Sequence, residues 1–297
     1  MKKMLFIVNP MAGKSAYKNN FGEAMLVFDR AGIAPTVRFT SNAGDATELA
    51  KQAADYDIVG CVGGDGTLSE VMEGLVQLPK EDRRPIGYIP LGTANDVATT
   101  LGLPKNNIIA AAERIANGKP RYFDVGTFGD NGSFTYVAAF GAFTDVSYET
   151  PQQEKQALGH FAYVLEGMTR LPKITTYATR IDYDGGVIED EFVFGGVMNS
   201  TSVAGLVRLD TERVQLDDGL FEVVLVRNPR SVADFKQLLA EAKRSDFLQG
   251  EFLSVRQARS VRFRFDTPVP WTRDGESGGA FTEVTLRNSA RAVQFLV

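Results

Sequence analysis

The chain has 297 residues, of which 44% are hydrophobic and 23% charged, as in ordinary globular proteins. This length accommodates two domains, and no apolar run approaches the roughly 20 residues of a membrane-spanning helix. The net charge of −5 argues against a nucleic-acid partner. A single cysteine, Cys61, excludes an intrachain disulfide and suits the cytoplasm. A single histidine, His160, excludes metal sites that use two histidines, so we expect any general base to be a carboxylate.

The first 120 residues alternate between strand and helix patterns. Strands are predicted over residues 4–8, 36–40, 58–62 and 85–90, and helices over residues 21–30, 45–54, 68–78 and 108–116. This alternation predicts a parallel sheet with helices on its faces. Ligands of such sheets bind at the carboxyl ends of the strands.

Four segments that follow these strands are rich in glycine or small polar residues. They are residues 9–14, Thr40, residues 63–67 and residues 91–96. Because the carboxyl ends of parallel strands share one edge of the sheet, the four segments together predict a nucleotide site.

The central segment is Gly63-Gly64-Asp65-Gly66-Thr67. Its glycines leave backbone N–H groups open to a phosphate, and the following helix directs its positive end to the same place. A carboxylate there, Asp65, implies that a cation accompanies the phosphate. The spacing matches neither a dinucleotide fingerprint, because Ser69 replaces the last glycine, nor a Walker A loop, because Val8 replaces the first. An ordinary tight turn is the alternative interpretation.

After residue 120 the pattern becomes rich in strands. They are predicted over residues 121–128, 134–142, 174–183, 191–197, 220–226, 261–265 and 283–286, with helices over 156–171 and 231–244. We therefore predict an α/β domain over 1–122 and a mostly antiparallel, sandwich-like β-rich domain over 123–297. The closing strand, residues 292–297, is compatible with either domain.

Five motifs then identify a family by resemblance. They are Asn9-Pro10 with Gly13-Lys14, Gly63-Gly64-Asp65-Gly66-Thr67, Gly92-Thr93-Ala94-Asn95-Asp96, Asp217-Asp218-Gly219 and Asp274-Gly275-Glu276. In this order, over nearly the whole chain, they resemble the bacterial diacylglycerol kinase family, which shares its catalytic domain with sphingosine and ceramide kinases. More distantly, the chain is similar to NAD kinases and 6-phosphofructokinases.

The resemblance implies a lipid kinase whose N-terminal α/β domain binds ATP. A C-terminal β-rich domain is expected to follow, with the reaction in the cleft between the two. The implied ATP contacts are Asn9, Pro10, Gly13, Lys14, Thr40, Gly63, Gly64, Asp65, Gly66, Thr67, Thr93 and Asn95. Asp65 is expected to hold a catalytic Mg²⁺, with Asp96 and Asp124 as supporting carboxylates. Glu276 is expected to be the general base.

The family also carries a structural metal in its second domain. The match implies that the Asp218 side chain holds this metal, together with Gln215 and Leu220 through their backbone carbonyls. Four positions depart from the family pattern: Ala12, Ser69 and Ser277 replace the usual serine, asparagine and proline, and residues 97–100 lack a frequent arginine. The absence of that arginine would affect phosphate or lipid-surface contacts more than ATP binding itself.

Diacylglycerol, as the expected acceptor, implies a cytoplasmic protein in transient contact with the inner face of the membrane. Its family members can form homodimers. The candidate membrane cations are Lys14, Lys18, Lys155, Arg256, Arg259, Arg262 and Arg264. The last two also fit a solvated strand face, the interpretation that we favour. Two other functions stay open: a kinase of a soluble acceptor such as NAD or a polyol, and a nucleotide-binding regulatory protein without catalysis.

Overall fold

The computed structural model of the chain describes residues 1–13, 18, 20–142, 175–199, 202–203, 207–208, 215–242 and 250–297. Lys14, Lys155, His160 and the helix predicted over 156–171 lie outside the described residues. The chain divides into two compact units: unit 1 comprises Met1–Val125 and Ser289–Val297, and unit 2 comprises Gly126–Asn288. Among the described residues, no helix is long and apolar enough to cross a membrane.

Unit 1 alternates strands and helices along the chain. Its first four strands are β1 (Lys2–Val8), β2 (Ile33–Phe39), β3 (Ile58–Gly63) and β4 (Ile86–Pro90). Its helices are α1 (Phe21–Arg30), α2 (Asp45–Ala50), α3 (Asp65–Val76), α4 (Asp96–Thr100) and α5 (Ile108–Asn117). Short 3₁₀ turns occupy Ala53–Asp55 and Lys80–Asp82.

The four strands of unit 1 pair in parallel. β1 lies between β2 and β3, and β4 follows β3, which gives the order β4-β3-β1-β2. The direction of strand addition therefore reverses between β1 and β3, the kind of position at which open α/β sheets bind ligands.

The last strand of the chain returns to unit 1, where Phe295 lies opposite Ile86 of β4. The half-buried Arg83 side chain attaches this return to α3. Its guanidinium donates to the Val76 carbonyl at 2.8 Å, the Leu78 carbonyl at 2.9 Å and the Ala292 carbonyl at 3.0 Å. The end of α3 and the returning strand are thus held by one side chain.

The described part of unit 2 consists mostly of strands. They are β5 (Pro120–Phe128, which begins in unit 1), β6 (Ser133–Phe134), β7 (Val137–Gly141), β8 (Tyr177–Tyr183), β9 (Gly186–Met198), β10 (Ser202–Val203), β11 (Val207–Arg208), β12 (Phe221–Arg227), β13 (Leu253–Ala258), β14 (Ser260–Arg273) and β15 (Glu276–Leu296, which ends in unit 1). A helix, α6 (Val232–Ala242), follows β12 in the chain.

The pairs recorded within unit 2 are antiparallel. The path runs β13-β12-β9-β7-β14-β15, and β8 pairs with both β9 and β14. Trp271 of β14 is fully buried in the core of this unit. Its ring centroid lies 5.0 Å from that of Phe140 and 5.2 Å from that of Phe263. Offset and edge contacts at such distances are the favourable arrangements of aromatic rings.

Among the described residues, the observed elements differ from the predicted ones at several places. β2 begins at Ile33 rather than at residue 36, α2 ends at Ala50 rather than at residue 54, and α4 was not predicted. Helix α3 begins at Asp65 rather than at residue 68, the strand predicted over 134–142 is divided into β6 and β7, and β13 was not predicted. The segments predicted over 261–265, 283–286 and 292–297 belong to one long hairpin, β14–β15.

The arginines of β14 take part in an exposed ion-pair network. Arg264 lies 3.0 Å from Glu283 and 3.0 Å from Asp182, and Arg262 lies 3.9 Å from Glu283. Their charges are therefore balanced by carboxylates on β15 and β8. This agrees with the solvated strand face that the alternation of Arg262 and Arg264 with phenylalanines indicates.

Candidate functional site

The loops after β1 and β3 meet at the point where the strand order reverses. The Asn9 side-chain amide donates to Thr67 Oγ1 at 3.0 Å, while its Oδ1 accepts the N–H of Met11 at 2.9 Å. The N–H of Asn9 also donates to the Val62 carbonyl at 2.9 Å. Asn9 thus fixes the first turn of α3 to the end of β1.

The loops after β3 and β4 touch through two glycines. A Cβ atom added to Gly92 would lie 2.6 Å from the Cα of Gly64, and one added to Gly64 would lie 3.1 Å from the Cα of Gly92. The first distance is shorter than atoms tolerate, so any side chain at Gly92 would separate the loops. Gly63 and Leu91 join the same two loops through a backbone hydrogen bond of 2.8 Å.

Asn95 shapes the second of these loops. It is buried and adopts a left-handed backbone conformation, with φ of 53°, immediately before α4. Asparagine tolerates this conformation better than most residues do. Its side chain accepts the N–H of Gly92 at 2.9 Å and donates to the Gly92 carbonyl at 2.7 Å. The loop is therefore closed on itself by one amide.

Asp65 begins α3 beside the start of α4. One of its carboxylate oxygens, Oδ1, is buried without a hydrogen-bond partner. Desolvation raises the pKa of Asp65, and the N–H groups of Asp96, Val97 and Asn95 partly offset this. A buried carboxylate oxygen with no hydrogen-bond donor is costly unless a ligand completes its coordination. Two helix N-termini and an incomplete carboxylate thus lie together at this edge.

Asp96 lies at the start of α4, with part of its surface in solvent. Desolvation raises the pKa of Asp96, and the neighbouring Asp65 carboxylate raises it further, whereas the Lys105 ammonium lowers it. A carboxylate that raises the pKa of a neighbouring carboxylate is a familiar arrangement around a bound cation. That Asp65 and Asp96 share one metal site stays a prediction.

Thr40 lies at the same edge, after β2. It is buried, and its N–H donates to the Val8 carbonyl at 3.0 Å. The loop after it is held by Asp45, whose carboxylate accepts the N–H groups of Ser41 at 2.7 Å and Asn42 at 2.9 Å. Glu70 of α3 in turn accepts the N–H of Ala46 at 3.1 Å. A series of hydrogen bonds thus leads from Thr40 to the helix that Asp65 begins.

Asp124 is fully buried in β5. Its carboxylate accepts the N–H of Arg291 at 2.6 Å, and Arg291 adopts a left-handed conformation with φ of 51°. The Arg291 guanidinium lies 5.6 Å from the centre of the Tyr122 ring. Asp124 therefore holds the returning end of β15 within unit 1.

In unit 2, the predicted base lies beside the turn of the β14–β15 hairpin. Asp274 and Gly275 form this turn with φ of 49° and 84°, as two-residue type I′ hairpins require. The buried Asp274 carboxylate accepts three backbone N–H groups, from Thr135 at 2.7 Å, Tyr136 at 3.0 Å and Val137 at 3.1 Å. Glu276 follows the turn and is exposed.

The predicted ligands of the structural metal occupy a turn before β12. Asp218 Oδ1 accepts the N–H of Leu220 at 2.9 Å, and the Leu220 carbonyl accepts the Asn288 amide at 3.1 Å. Gln215 is exposed. Among the described residues, no group of three His, Cys, Asp or Glu side chains could hold a metal.

Sequence reasoning missed two residues that shape the site, Glu70 and Lys105. Glu70 carried no signal beyond its place on a helix. Asp274, by contrast, stands in one of the five motifs, and Asp-Gly between two strands is a hairpin signal. Lys105 lies 9 residues after Asp96, and only the tertiary structure brings the two charges together.

Closely packed glycine loops and helix N-termini at one sheet edge are the geometry with which α/β proteins bind phosphates. The model of the diacylglycerol kinase catalytic domain matches residues 3–128. The model of the YegS C-terminal NAD kinase beta sandwich-like domain matches residues 139–296.

Curated relatives and solved structures give the same result. The chain is 33% identical over 282 residues to a diacylglycerol kinase of Bacillus subtilis (strain 168), covering 94% of this chain and 91% of that protein. It is 35% identical over 280 residues to a diacylglycerol kinase of Staphylococcus carnosus (strain TM300), covering 94% and 90%. A crystal structure of a diacylglycerol kinase from Bacillus anthracis str. Sterne, 25% identical, covers 99% of this chain and 96% of its own, with a TM-score of 0.75.

The chain belongs to the diacylglycerol kinase family. The expected two-domain architecture, a catalytic domain followed by a strand-rich sandwich-like domain, is confirmed. The protein is an ATP-dependent lipid kinase, a transferase that uses ATP as a substrate together with a divalent metal. The hypothesis of a regulatory protein without catalysis is set aside by this result.

Proposed function

We propose that this lipid kinase transfers the γ-phosphate of ATP to the hydroxyl of diacylglycerol and so forms phosphatidic acid. The names of the curated relatives support this choice of acceptor. The observation that carries the reaction is the edge of unit 1 where Gly64 contacts Gly92 and where α3 and α4 begin. Phosphoryl transfer requires positioning and neutralisation of charge more than covalent catalysis, and this edge offers both.

The phosphates of ATP would lie against the backbone N–H groups of residues 63–67 and 92–96. Gly63, Gly64 and Gly92 let these loops pack closely, because a Cβ at Gly63 would meet the Thr67 side chain and one at Gly64 or Gly92 would meet the facing loop. The further proposed contacts are Asn9, Pro10, Gly13, Lys14, Thr40, Thr67, Thr93 and Asn95. Of these, Asn9 and Asn95 use their side-chain amides within the protein, so they would shape the site rather than donate to the phosphates through those amides.

A divalent metal fits beside Asp65. The buried Oδ1 atom of Asp65 lacks a hydrogen-bond partner, and carboxylate oxygens are the preferred protein ligands of Mg²⁺. We propose that Asp65 and Asp96 hold Mg²⁺, which would neutralise phosphate charge when bound. Asp124 is proposed to be a supporting carboxylate of this site. Its carboxylate already accepts the N–H of Arg291, so we do not propose it as a direct metal ligand.

Glu276 is the proposed general base. Its carboxylate is exposed beside a turn that Asp274 anchors through three hydrogen bonds. A base on a fixed hairpin is held in position for an incoming hydroxyl. Glu276 would accept the proton of the lipid hydroxyl as its oxygen attacks the γ-phosphate, with ADP leaving. Such assistance contributes about 10²–10⁴ in rate.

A second, structural metal is proposed at Gln215, Asp218 and Leu220. Asp218 keeps one carboxylate oxygen for a cation, and the Leu220 carbonyl, which accepts one hydrogen bond, keeps a second lone pair. These hard oxygen donors suit Mg²⁺ or Ca²⁺. We also propose that the protein is cytoplasmic, that it contacts the inner face of the membrane peripherally and that it forms a homodimer. These three points stay predictions.

The test is phosphoryl transfer from Mg·ATP to a panel of acceptors in mixed micelles. The panel contains diacylglycerol, monoacylglycerol, ceramide, sphingosine, undecaprenol and soluble NAD. We expect diacylglycerol to be phosphorylated and Glu276→Gln to lower kcat by about 10²–10⁴ while ATP affinity changes less than a few-fold. Glu283→Gln, on the same strand but within the ion-pair network, is the matched control. Transfer to another acceptor alone would refute the choice of lipid, and a normal kcat in Glu276→Gln would refute the base.

A further inference from the structure

A lysine outside every predicted motif lies at the edge where α4 begins. Lys105 follows α4 by five residues, in the connection to α5. Its ammonium nitrogen donates to Thr99 Oγ1 at 2.9 Å. Thr99 Oγ1 in turn donates to the Asn95 carbonyl at 3.0 Å. The charge of Lys105 is therefore attached to the helix that Asp96 begins.

The backbone around Lys105 is fixed independently of that side chain. Asn106 adopts a left-handed conformation, with φ of 54°, and its N–H donates to the Pro90 carbonyl at 3.1 Å. Pro90 is the last residue of β4. The N–H of Leu103 donates to the Ala98 carbonyl at 2.8 Å. These contacts return the chain to the carboxyl end of β4, next to the loop that contains Gly92.

Lys105 also keeps donors for a ligand. An ammonium group has three N–H donors, and Thr99 accepts one of them. Across the part of the chain that the structure describes, no ion pair engages Lys105, whereas Lys51 pairs with Glu48 and the Arg83 guanidinium is used by three carbonyls. Lys105 is exposed, and its charge acts on Asp96. An available cation thus lies beside a site for a polyanion.

We propose that Lys105 is a phosphate-binding residue of this kinase and that its ammonium group, held on α4 by Thr99, contacts the phosphates of ATP. Residues 97–100 of α4 contain no basic side chain, and Lys105 supplies the charge from the following segment. Electrostatic stabilisation by a preorganised cation is a principal means of catalysing phosphoryl transfer. Thr99 acts through Lys105 and is a positioning residue.

This inference rests on the proposed placement of the ATP phosphates at the loops after β3 and β4. The test measures the dissociation constant of Mg·ATP by titration calorimetry, with the full chain and without lipid. We expect Lys105→Met to weaken binding about tenfold, as the loss of one charge-assisted hydrogen bond implies. Lys105→Arg should stay within about threefold, because it keeps the charge. Thr99→Val should fall between these two variants.

Two further variants make the outcomes distinguishable. Lys80→Met removes an exposed lysine in the turn after α3 and should bind ATP normally. Gly92→Ala should weaken ATP binding by separating the two loops. If Gly92→Ala weakens binding and Lys105→Met does not, the role of Lys105 is refuted while the proposed site stands. If neither variant changes the dissociation constant, both the role of Lys105 and the placement of the phosphates are wrong.

A salt titration separates a phosphate contact from a folding role. Higher ionic strength screens an exposed charge pair, so ATP binding by the wild type should weaken with salt more steeply than binding by Lys105→Met. Equal salt slopes for the two proteins would overturn the proposal. Thermal unfolding of the two proteins should coincide, because the lysine is exposed and makes one hydrogen bond.

Discussion

Two aspartates, each beside a glycine, are used in opposite ways. Asp274 in unit 2 is buried, and its carboxylate accepts three backbone N–H groups. Asp65 in unit 1 begins a helix, and one of its oxygens is buried without a partner. A carboxylate whose acceptor sites are filled by its own chain fixes the backbone, and one left incomplete costs stability that a ligand can recover. The comparison separates an aspartate that builds structure from one available for chemistry.

The largest expected effect is on turnover in Asp65→Asn. An amide cannot replace the negative charge that a metal requires, so we expect kcat to fall on the order of 10³-fold, equivalent to about 4 kcal/mol of transition-state stabilisation. Stability should not fall, because the substitution removes a desolvated charge. Steady-state kinetics over a range of Mg²⁺ and thermal unfolding measure the two effects. An Asp65→Asn protein with wild-type Mg²⁺ dependence would remove Asp65 from the metal site.

Asp274→Ala should have the opposite profile. Three buried N–H groups would lose their acceptor, and the left-handed turn would hold an alanine, so we expect a loss of about 2–4 kcal/mol in the free energy of unfolding. Chemical denaturation measures this loss. Asp274→Asn, which keeps one acceptor oxygen and tolerates positive φ, should recover part of it. If Asp274→Ala were as stable as the wild type, the structural role of Asp274 would be refuted.

Glu241 extends the same rule to pH. Its carboxylate accepts the N–H groups of Glu251, Phe252 and Leu253 at 3.0, 3.0 and 2.9 Å. Burial raises the pKa of Glu241, but these N–H groups and the Gln237 amide outweigh it and lower the pKa below 4.5. A lowered pKa contributes stability above the ordinary value that is lost as the pH falls through the folded-state value. We expect Glu241→Gln to be less stable at pH 7 and to lose less stability than wild type on acidification below about pH 4.5. Urea unfolding midpoints that shift equally with pH in the variant and in the wild type would contradict this role.

The smallest effect is expected for Arg264→Ala. Its ion pairs with Glu283 and Asp182 are exposed, and such pairs contribute at most about 1 kcal/mol. We expect the midpoint of unfolding to change little and binding to anionic vesicles to be unaffected, since its charge is already balanced. A clear loss of vesicle binding would instead assign the face of β14 to the membrane.

Local patterns predicted unit 1 better than unit 2. Helix α1 has the predicted ends, because its apolar period is regular and short-range. Helix α3 starts earlier than predicted, because its first turn is formed by Asp65 and Gly66, residues of low intrinsic helix propensity. The β14–β15 hairpin was missed as a unit, because residues 276–283 show no regular alternation and the register shifts between Arg264 and Val269 and between Trp271 and Thr272. Pairing of this kind depends on the partner strand.

The candidate site shows the same limit. Motifs predicted Asp65, Asp96 and the glycine loops, because phosphate binding at helix starts has a local signature. The resemblance, rather than any pattern, singled out Glu276. Lys105 escaped detection because its role depends on a hydrogen bond to Thr99 and on the left-handed Asn106. These contacts exist only in the folded chain.

The division of unit 1 into two separate stretches of sequence has a consequence for biosynthesis. Residues 289–297 supply the Phe295 pairing with β4 and the Ala292 carbonyl that Arg83 binds, and the ribosome makes them only after the whole of unit 2. During synthesis, the N-terminal part of unit 1 therefore lacks its last strand until unit 2 has been translated. An early terminated chain, even one that contains every loop of the phosphate edge, leaves the edge of β4 without this partner.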